Sequence, residues 1–216
     1  MPEIEVRPYD VADRAELVDV VFQAAAEGAP GSEVWGHSAS LAEIYLTPYL
    51  DLEPASTFVV LANGRPAGYL AGCVDDASFP SEEARTKAAI RKYGLWRRSG
   101  PRRFFLRAAY DSAVCRVRRV PVAGGFHDPR WPSHLHIDLM PAARGTGAAA
   151  RLMELWFERL REVGSPGCYL QTSYENSRAI AFFERAGFRR YGDTPVVPGS
   201  RFEGGRMHEQ AMVREV

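Results

Sequence analysis

Arg144, Gly145 and Gly147 have the types and spacing to hold an anion. They lie between a β-like run, His134 to Leu139, that stops at Pro141, and an apolar-periodic run, Ala149, Leu152, Met153, Leu155, Trp156, Phe157 and Leu160. That order reads as strand, glycine turn, helix. Glycines at a helix start remove side chains, so backbone N–H groups there can close around an anion. Arg144 adds a fixed positive charge. The chemistry is that of a phosphate cradle. It is not the dinucleotide type, because Gly145-x-Gly147 is followed by Ala148, Ala149 and Ala150 where a third glycine would be needed, and there is no Walker lysine.

The remaining match, Arg-x-x-Gly-x-Ala at Arg144, Gly147 and Ala149, resembles the acetyl-CoA pyrophosphate loop of the GNAT N-acetyltransferases. A second segment strengthens the likeness. After a strand candidate at Gly167–Thr172 comes Asn176-Ser-Arg-Ala-Ile-Ala-Phe-Phe-Glu-Arg-Ala-Gly-Phe188, similar to the family signature Asn-x-x-Ala-x-x-Phe-Tyr-x-x-x-Gly-Phe with one change, Phe183 for tyrosine. The resemblance implies an α/β (α+β) GNAT fold. Its central sheet is mixed and mostly antiparallel, splayed between the fourth and fifth strands, with helices on both faces. It implies acetyl-CoA as cofactor, lying in the gap between those strands. Leu139 and Met140 would hold the pantetheine through their backbones. The amides of Gly145, Thr146, Gly147, Ala148 and Ala149, with Arg144 beside them, would take the pyrophosphate. Asn176 would bond the pantetheine arm and Arg178 a phosphate.

Catalysis by direct attack needs a neutral amine held beside the thioester, a base for an ammonium acceptor and an acid for the departing thiolate. Asp138 is the candidate base, because a carboxylate in mid-strand is costly unless paired or functional. His134, His136 and Asp138 share one face of an alternating strand, and His136 is the reserve. A metal is not expected, since residues i, i+2 and i+4 extend over about 13 Å and do not converge. Phe183 has no proton to give, which leaves Tyr174, just past the fifth strand, or Tyr191 as substitute acids. The alternative is a catalytically silent acetyl-CoA-binding module. Acceptor contacts are expected from Glu27, Glu33, Trp35 and His37, from Asp75 and Asp76, and from a Gly-rich, mobile segment at 195–205. The acceptor itself is an unidentified amine.

These residues need elements to carry them. Ile4–Arg7 reads as a strand, Asp10 or Asp13 as a cap for a helix through Leu17 and Val21, and Ser40–Leu50 as a helix interrupted near Pro48. Thr57–Ala62 and Ala67–Val74 are strands joined by Asn63-Gly64, a tight hairpin turn. Strands at Phe188–Tyr191 and about Arg206–Arg214 finish the order. The 216 residues suit one domain over 1–216 with a helical insert at about 75–132. In that insert Ser81 caps a helix to Arg98, Gly100-Pro101 breaks it, and a second helix runs from Arg102 to Val117. From Ser81 to Val120 twelve Lys or Arg face three Asp or Glu, a local charge of +9 in a chain of net charge zero. A solvated helical hairpin explains this better than nucleic acid, since no regular aromatics are set among the charges. The insert and Leu-His-Ile-Asp138 also resemble the acetyltransferase-like domain of bifunctional O-GlcNAc hydrolases and its bacterial relatives. Cys73, Cys115 and Cys168 are odd in number and scattered, and read as buried thiols. With no signal-peptide core and no long apolar run, the expected location is cytoplasmic, with no membrane partner and a homodimer left open.

Overall fold

The computed structural model describes residues 2–26, 35 and 37–216. Glu27 and Glu33, expected near the acceptor, lie outside the described residues. The elements follow in the order β1 (Ile4–Pro8), α1 (Arg14–Ala26), α2 (Ser38–Tyr45), α3 (Thr47–Leu52), β2 (Thr57–Ala62), β3 (Arg65–Cys73), α4 (Glu82–Tyr93), α5 (Ser99–Arg118), β4 (Ser133–Leu139), α6 (Ala148–Glu162), β5 (Gly167–Ser173), α7 (Ser177–Arg185), β6 (Arg189–Tyr191), β7 (Val196–Phe202) and β8 (Gly205–Glu215). Strand order is β1-β2-β3-β4-β5-β8-β6, with β7 paired to the first part of β8. Among the strands of the described residues only β4 and β5 pair in parallel, the other strand pairings being antiparallel; an isolated parallel bridge joins Val122 to Val196 of β7. This is the mixed, splayed sheet that the sequence predicts.

Local chemistry explains most boundaries. Asn63 and Gly64 turn the β2–β3 hairpin at positive φ, 52° and 75°. Asp10 caps a single turn that leads into α1. The helix over 38–52 breaks at Leu46, and Pro48 sits in the first turn of α3, where its missing N–H costs nothing. In α6 Leu152, Met153, Trp156, Phe157 and Leu160 are buried as the periodicity predicts, with Ala148 buried beside them, while Ala149 and Leu155 are only half-buried at the edges of the stripe. Helices α6 and α7 pack on one face of the sheet against Leu70, Leu135, Cys168, Leu170 and Met212. Trp156 is fully buried there, and a Cβ on Gly72 would fall 2.2 Å from its ring, so the strand can pass only as glycine. Removing a core aromatic of this size costs about 3–5 kcal/mol. Helices α1 to α3 cover the opposite face through Leu17, Val20, Ile44 and Tyr49.

Three expectations are corrected. The first insert helix ends at Gly94, in the left-handed conformation that closes a helix, whereas Gly100 and Pro101 lie inside the first turn of α5. The segment at 195–205 is not a loose loop: β7 pairs with β8 and packs on α5. The insert is also more than a solvated hairpin. Arg85 is buried and donates to Ile44 O at the end of α2, and Asp111 of α5, fully buried, accepts from Arg201 at 2.6 Å, Arg206 at 3.1 Å and the Gly199 N–H at 3.0 Å. Several arginines, among them Arg102, Arg103, Arg116, Arg118 and Arg119, do face solvent. The three cysteines are free and buried. No helix among the described residues is long and apolar enough to cross a membrane.

Burial alone would raise the Asp111 carboxyl, but the bonds from Arg201, Gly199 and Arg206 outweigh it and hold it at about 2. A depressed carboxylate contributes stability that is present above its unfolded pKa and lost as pH falls toward its folded one. Asp111→Asn is predicted to cost roughly 2 kcal/mol or more at neutral pH. That is below the about 3–5 kcal/mol of a fully enclosed pair, because both guanidinium groups reach solvent. The mutant and wild type should converge between about pH 4 and pH 2. Denaturant titration across that range checks it; equal stability at pH 7 would remove the proposed lock between the insert and β7.

Candidate active site

The site begins where the sheet fails. β4 and β5 pair only at Ser133–Cys168 and His134–Tyr169, and then diverge. Met140 N–H donates to Ala67 O at 2.8 Å. Hydrogen-bonding direction alternates along an antiparallel strand, so the backbone groups of Met140 and Asp138 face β3, and those of Leu139 and Ile137 face the opening gap. This corrects the expectation for Met140, whose N–H is already used. It adds Ile137, which the sequence reading missed because strand parity is set by register and not by residue type. Leu139 turns its N–H to the gap, while its carbonyl accepts from Arg144 Nε at 2.9 Å.

Beyond β4 the chain makes one turn over 141–143 and enters the loop before α6. Gly145 and Gly147 take positive φ, 76° and 89°, and a Cβ on either would meet nothing within 4 Å. The loop is therefore open on the side where side chains are missing. The N-cap of α6 is Gly147, which has no side chain to cap the helix; the Ala148 N–H makes a long contact to Thr146 Oγ1 at 3.4 Å, and the N–H groups that follow in the first turn have no side-chain acceptor among the described residues. Thr146 Oγ1 donates to Ala143 O at 2.7 Å and pins the turn. Arg144 folds back so that Nε donates to Leu139 O at 2.9 Å, which leaves the rest of its guanidinium for an anion. These residues fit a pyrophosphate. Asn176 uses its Oδ1 to cap α7, accepting from Ala179 N–H at 3.1 Å, and its NH2 group is the part that remains for a ligand. Arg178 is exposed in the first turn of α7. A groove of about 670 Å³ between α6 and α7, lined by Met153, Phe157, Phe182 and Arg214, lies elsewhere and does not include Asp138.

On the face of α1 to α3, the side chains at the gap are polar. Tyr69, directly opposite Asp138 in register, donates its hydroxyl to Asp138 Oδ2 at 2.8 Å. Burial raises the Asp138 carboxyl, against the Tyr69 bond and the Arg144 charge, which favour the carboxylate. His136 packs edge-on against Tyr45 and Tyr49, and burial, with His134 and Arg85 nearby, pushes its imidazole down to about 3. A ring that binds its proton so weakly is a poor base at neutral pH. His134 is engaged elsewhere, with Tyr49 Oη at 2.7 Å and Asp76 Oδ1 at 3.1 Å. Across the gap Glu209 of β8 accepts from Gln171 at 2.5 Å, and Tyr45 Oη donates to Glu82 Oε1 at 3.1 Å. Burial, with the Glu82 charge adding to it and Gln171 opposing, lifts Glu209 to about 7.

Several expected contacts are assigned otherwise. Trp35 is buried against Phe104 and Phe105 and donates to Ser40 Oγ at 2.8 Å, so it offers no open aromatic wall. His37 caps α2 by accepting from Ser40 N–H at 3.2 Å. Asp75 caps a turn at Ala77, and Asp76 binds His127, His134 and Tyr169 at the closed end of the gap. Tyr191 Oη accepts from Arg130 at 2.8 Å and packs on Trp131, away from the gap. Tyr174 stands 46 % exposed beyond β5. Phe183 is 6 % exposed and sits in the core with Phe182 and Phe188. Glu209 was missed, although a glutamate in phase with Ala211 and Val213 on a strand breaks the apolar pattern and was the available signal.

Comparison with known proteins accords with this geometry. The model of the acetyltransferase (GNAT) family matches residues 21–188. An uncharacterized N-acetyltransferase of Escherichia coli, YjgM, is 43% identical over 49 residues, which are 23% of this chain; the match spans under a third of that protein, 29%. Among solved structures, the polyamine N-acetyltransferase of Drosophila melanogaster superposes with a TM-score of 0.62 at 21% identity, covering 99% of this chain and 100% of that one. The putative acetyltransferase yncA of Salmonella typhimurium, solved with its cofactor acetyl-CoA, gives 0.59 at 15% identity over 98% and 93%. At such identities the structures establish the fold. The family match over most of the chain establishes more: this chain belongs to the GNAT acetyltransferase family, whose cofactor is acetyl-CoA.

Proposed function

We propose that the protein transfers an acetyl group from acetyl-CoA to a cationic amine by direct attack, with Asp138 as the carboxylate that faces the acceptor. The observation that carries this reading is the placement of Asp138: half-buried, bonded to Tyr69 and to no cation, on the strand that borders the gap. Acetyl-CoA supplies an activated thioester when bound. The open loop from Gly145 to Ala149, with Arg144, is suited to its pyrophosphate, and the gap-facing backbone of Ile137 to its pantetheine amides. The Leu139 N–H is the group placed to polarise a carbonyl in the gap. A cationic acceptor would be drawn to the Asp138 charge and would give up its proton there before attack, since burial makes this carboxylate a stronger base than one in water. A thiolate leaves readily near neutral pH, so the loss of a hydroxyl at Phe183 is tolerable, with Tyr174 or solvent available to return a proton.

Two variants test the reading. Gly147→Glu puts a bulky anion in the open side of the loop and is predicted to abolish CoA binding by calorimetry while the far-ultraviolet circular dichroism stays native. Unchanged affinity in that folded variant would sink the cofactor assignment. Asp138→Asn keeps the shape but cannot take up a proton or attract an ammonium ion. CoA affinity should survive and acetyl transfer should fall about 10²-fold or more. A variant that melts earlier yet turns over normally per folded molecule would make Asp138 structural.

A further inference from the structure

Asp138 is not alone on its face of the sheet. The β4–β5 register, continued from His134–Tyr169, brings Asp138 opposite Ser173 across the gap, and Ser173 pairs directly with Glu209 on β8. Asp138 and Glu209 thus occupy one row, on one face, two strands apart. Neighbouring strands are about 4.8 Å apart, so the two backbone positions stand about 10 Å apart or more where the sheet splays, and neither carboxylate is among the charges that act on the other.

Glu209 is built into place. Gly124 O can only accept, so the Gln171 group that lies 3.0 Å from it must be the NH2, and the same NH2 donates to Glu209 Oε1 at 2.5 Å. The amide orientation is fixed by that pair of acceptors. The partner it gives Glu209 is neutral. Among the described residues no Lys, Arg or His lies within ion-pair distance of the Glu209 or Asp138 carboxylates. The charges near Glu209 are of its own sign: Glu82 on α4 acts on it, and Glu209 in turn acts on Tyr45 of α2. A half-buried carboxylate with no cation is costly unless a ligand brings one.

One ammonium cannot serve both groups, because a charged hydrogen bond reaches only about 2.8 Å. We propose that Glu209 is a second anchoring carboxylate of the acceptor site, and that the acceptor is an elongated dication with its reacting amine at Asp138 and its distal cationic group at Glu209. The spacing calls for nitrogens roughly 5 Å or more apart, the reach of about four or five methylene groups. This inference rests on the acetyl-transfer reading above and adds the substrate class to it.

The test compares two acceptors of equal length, 1,5-diaminopentane and pentylamine, by the rate of CoA release from acetyl-CoA. Wild type is expected to favour the diamine by tenfold or more in kcat/KM, mainly through KM. In Glu209→Gln that ratio should fall to within about twofold, with CoA affinity, which reports folding, preserved. A second readout needs no variant. Glu209 ionises at about 7, whereas His136 stays neutral above 3, the Tyr45 hydroxyl is raised by burial and stays protonated, and Asp138 meets both acceptors alike. The wild-type preference should therefore grow from pH 6 to pH 8. Turnover of pentylamine with no preference for the diamine, or a preference that persists in Glu209→Gln or is flat with pH, overturns the role of Glu209 and leaves acetyl transfer standing. Absence of turnover with both amines would overturn amine acetylation and this inference together.

Discussion

Everything at the site depends on two parallel strands that pair for two residues and then part. β4 and β5 are joined at Ser133–Cys168 and His134–Tyr169, and the join is reinforced at that level by side chains. Asp76 accepts from the Tyr169 hydroxyl at 3.2 Å and lies 3.1 Å from His134 Nδ1, while Ser133 donates to Val74 O at 2.6 Å. His134 also reaches Tyr49 at 2.7 Å, which ties the knot to α3. Past it, the gap edge of β4 has backbone groups with no strand to receive them, and among the described residues only the Leu139 carbonyl finds another partner, Arg144 Nε at 2.9 Å. Buried backbone groups without partners are rare in proteins, because each costs about as much as a lost hydrogen bond. A ligand with an amide chain can act as the missing strand, and the open glycine loop that follows β4 is the anion cradle proposed for its phosphates.

The two faces of the sheet divide the labour. On the α6 and α7 face, packing is dense and apolar, centred on Trp156, and serves to fix the position of the cradle. On the other face the same strands carry Asp138, His136, Gln171 and Glu209, roofed by Tyr45 and by α4. Burial away from water raises the carboxyls and lowers the imidazole. The insert belongs to this arrangement. Arg85 lies over both the Tyr49 and Phe79 rings, 5.3 Å from each centroid, while donating to Ile44 O, and Asp111 clamps the β7–β8 hairpin through Arg201 of β7 and Arg206 of β8.

What could be read from the sequence was local. The Asn63-Gly64 turn, the α6 stripe, the glycine loop and the Gly187 stop each depend on residues near one another in the chain, and each took the expected form. What could not be read depends on partners far away. Val196 to Phe202 contains Pro198 and Gly199, poor strand residues, and is held as a strand by β8 and by α5, with Gly199 N–H bonded to Asp111 some 88 positions earlier. Gly100-Pro101 looks like a break, yet proline is tolerated in a first helical turn, and the real stop is Gly94. Met140 was expected to serve the ligand, but register turns its N–H to Ala67. Trp35 looked like a surface for a cation and is a core residue, because the insert supplies Phe104 and Phe105 to cover it.

The central claim is that acetyl-CoA occupies the gap between β4 and β5, and amide hydrogen exchange with and without acetyl-CoA tests it most directly. The N–H groups of Ile137 and Leu139 and those from Gly145 to Ala149 should gain protection on binding. Met140, already bonded to Ala67 O, should change little by comparison. Protection confined to the groove between α6 and α7, with the β4 edge and the glycine loop exchanging as before, would contradict the account.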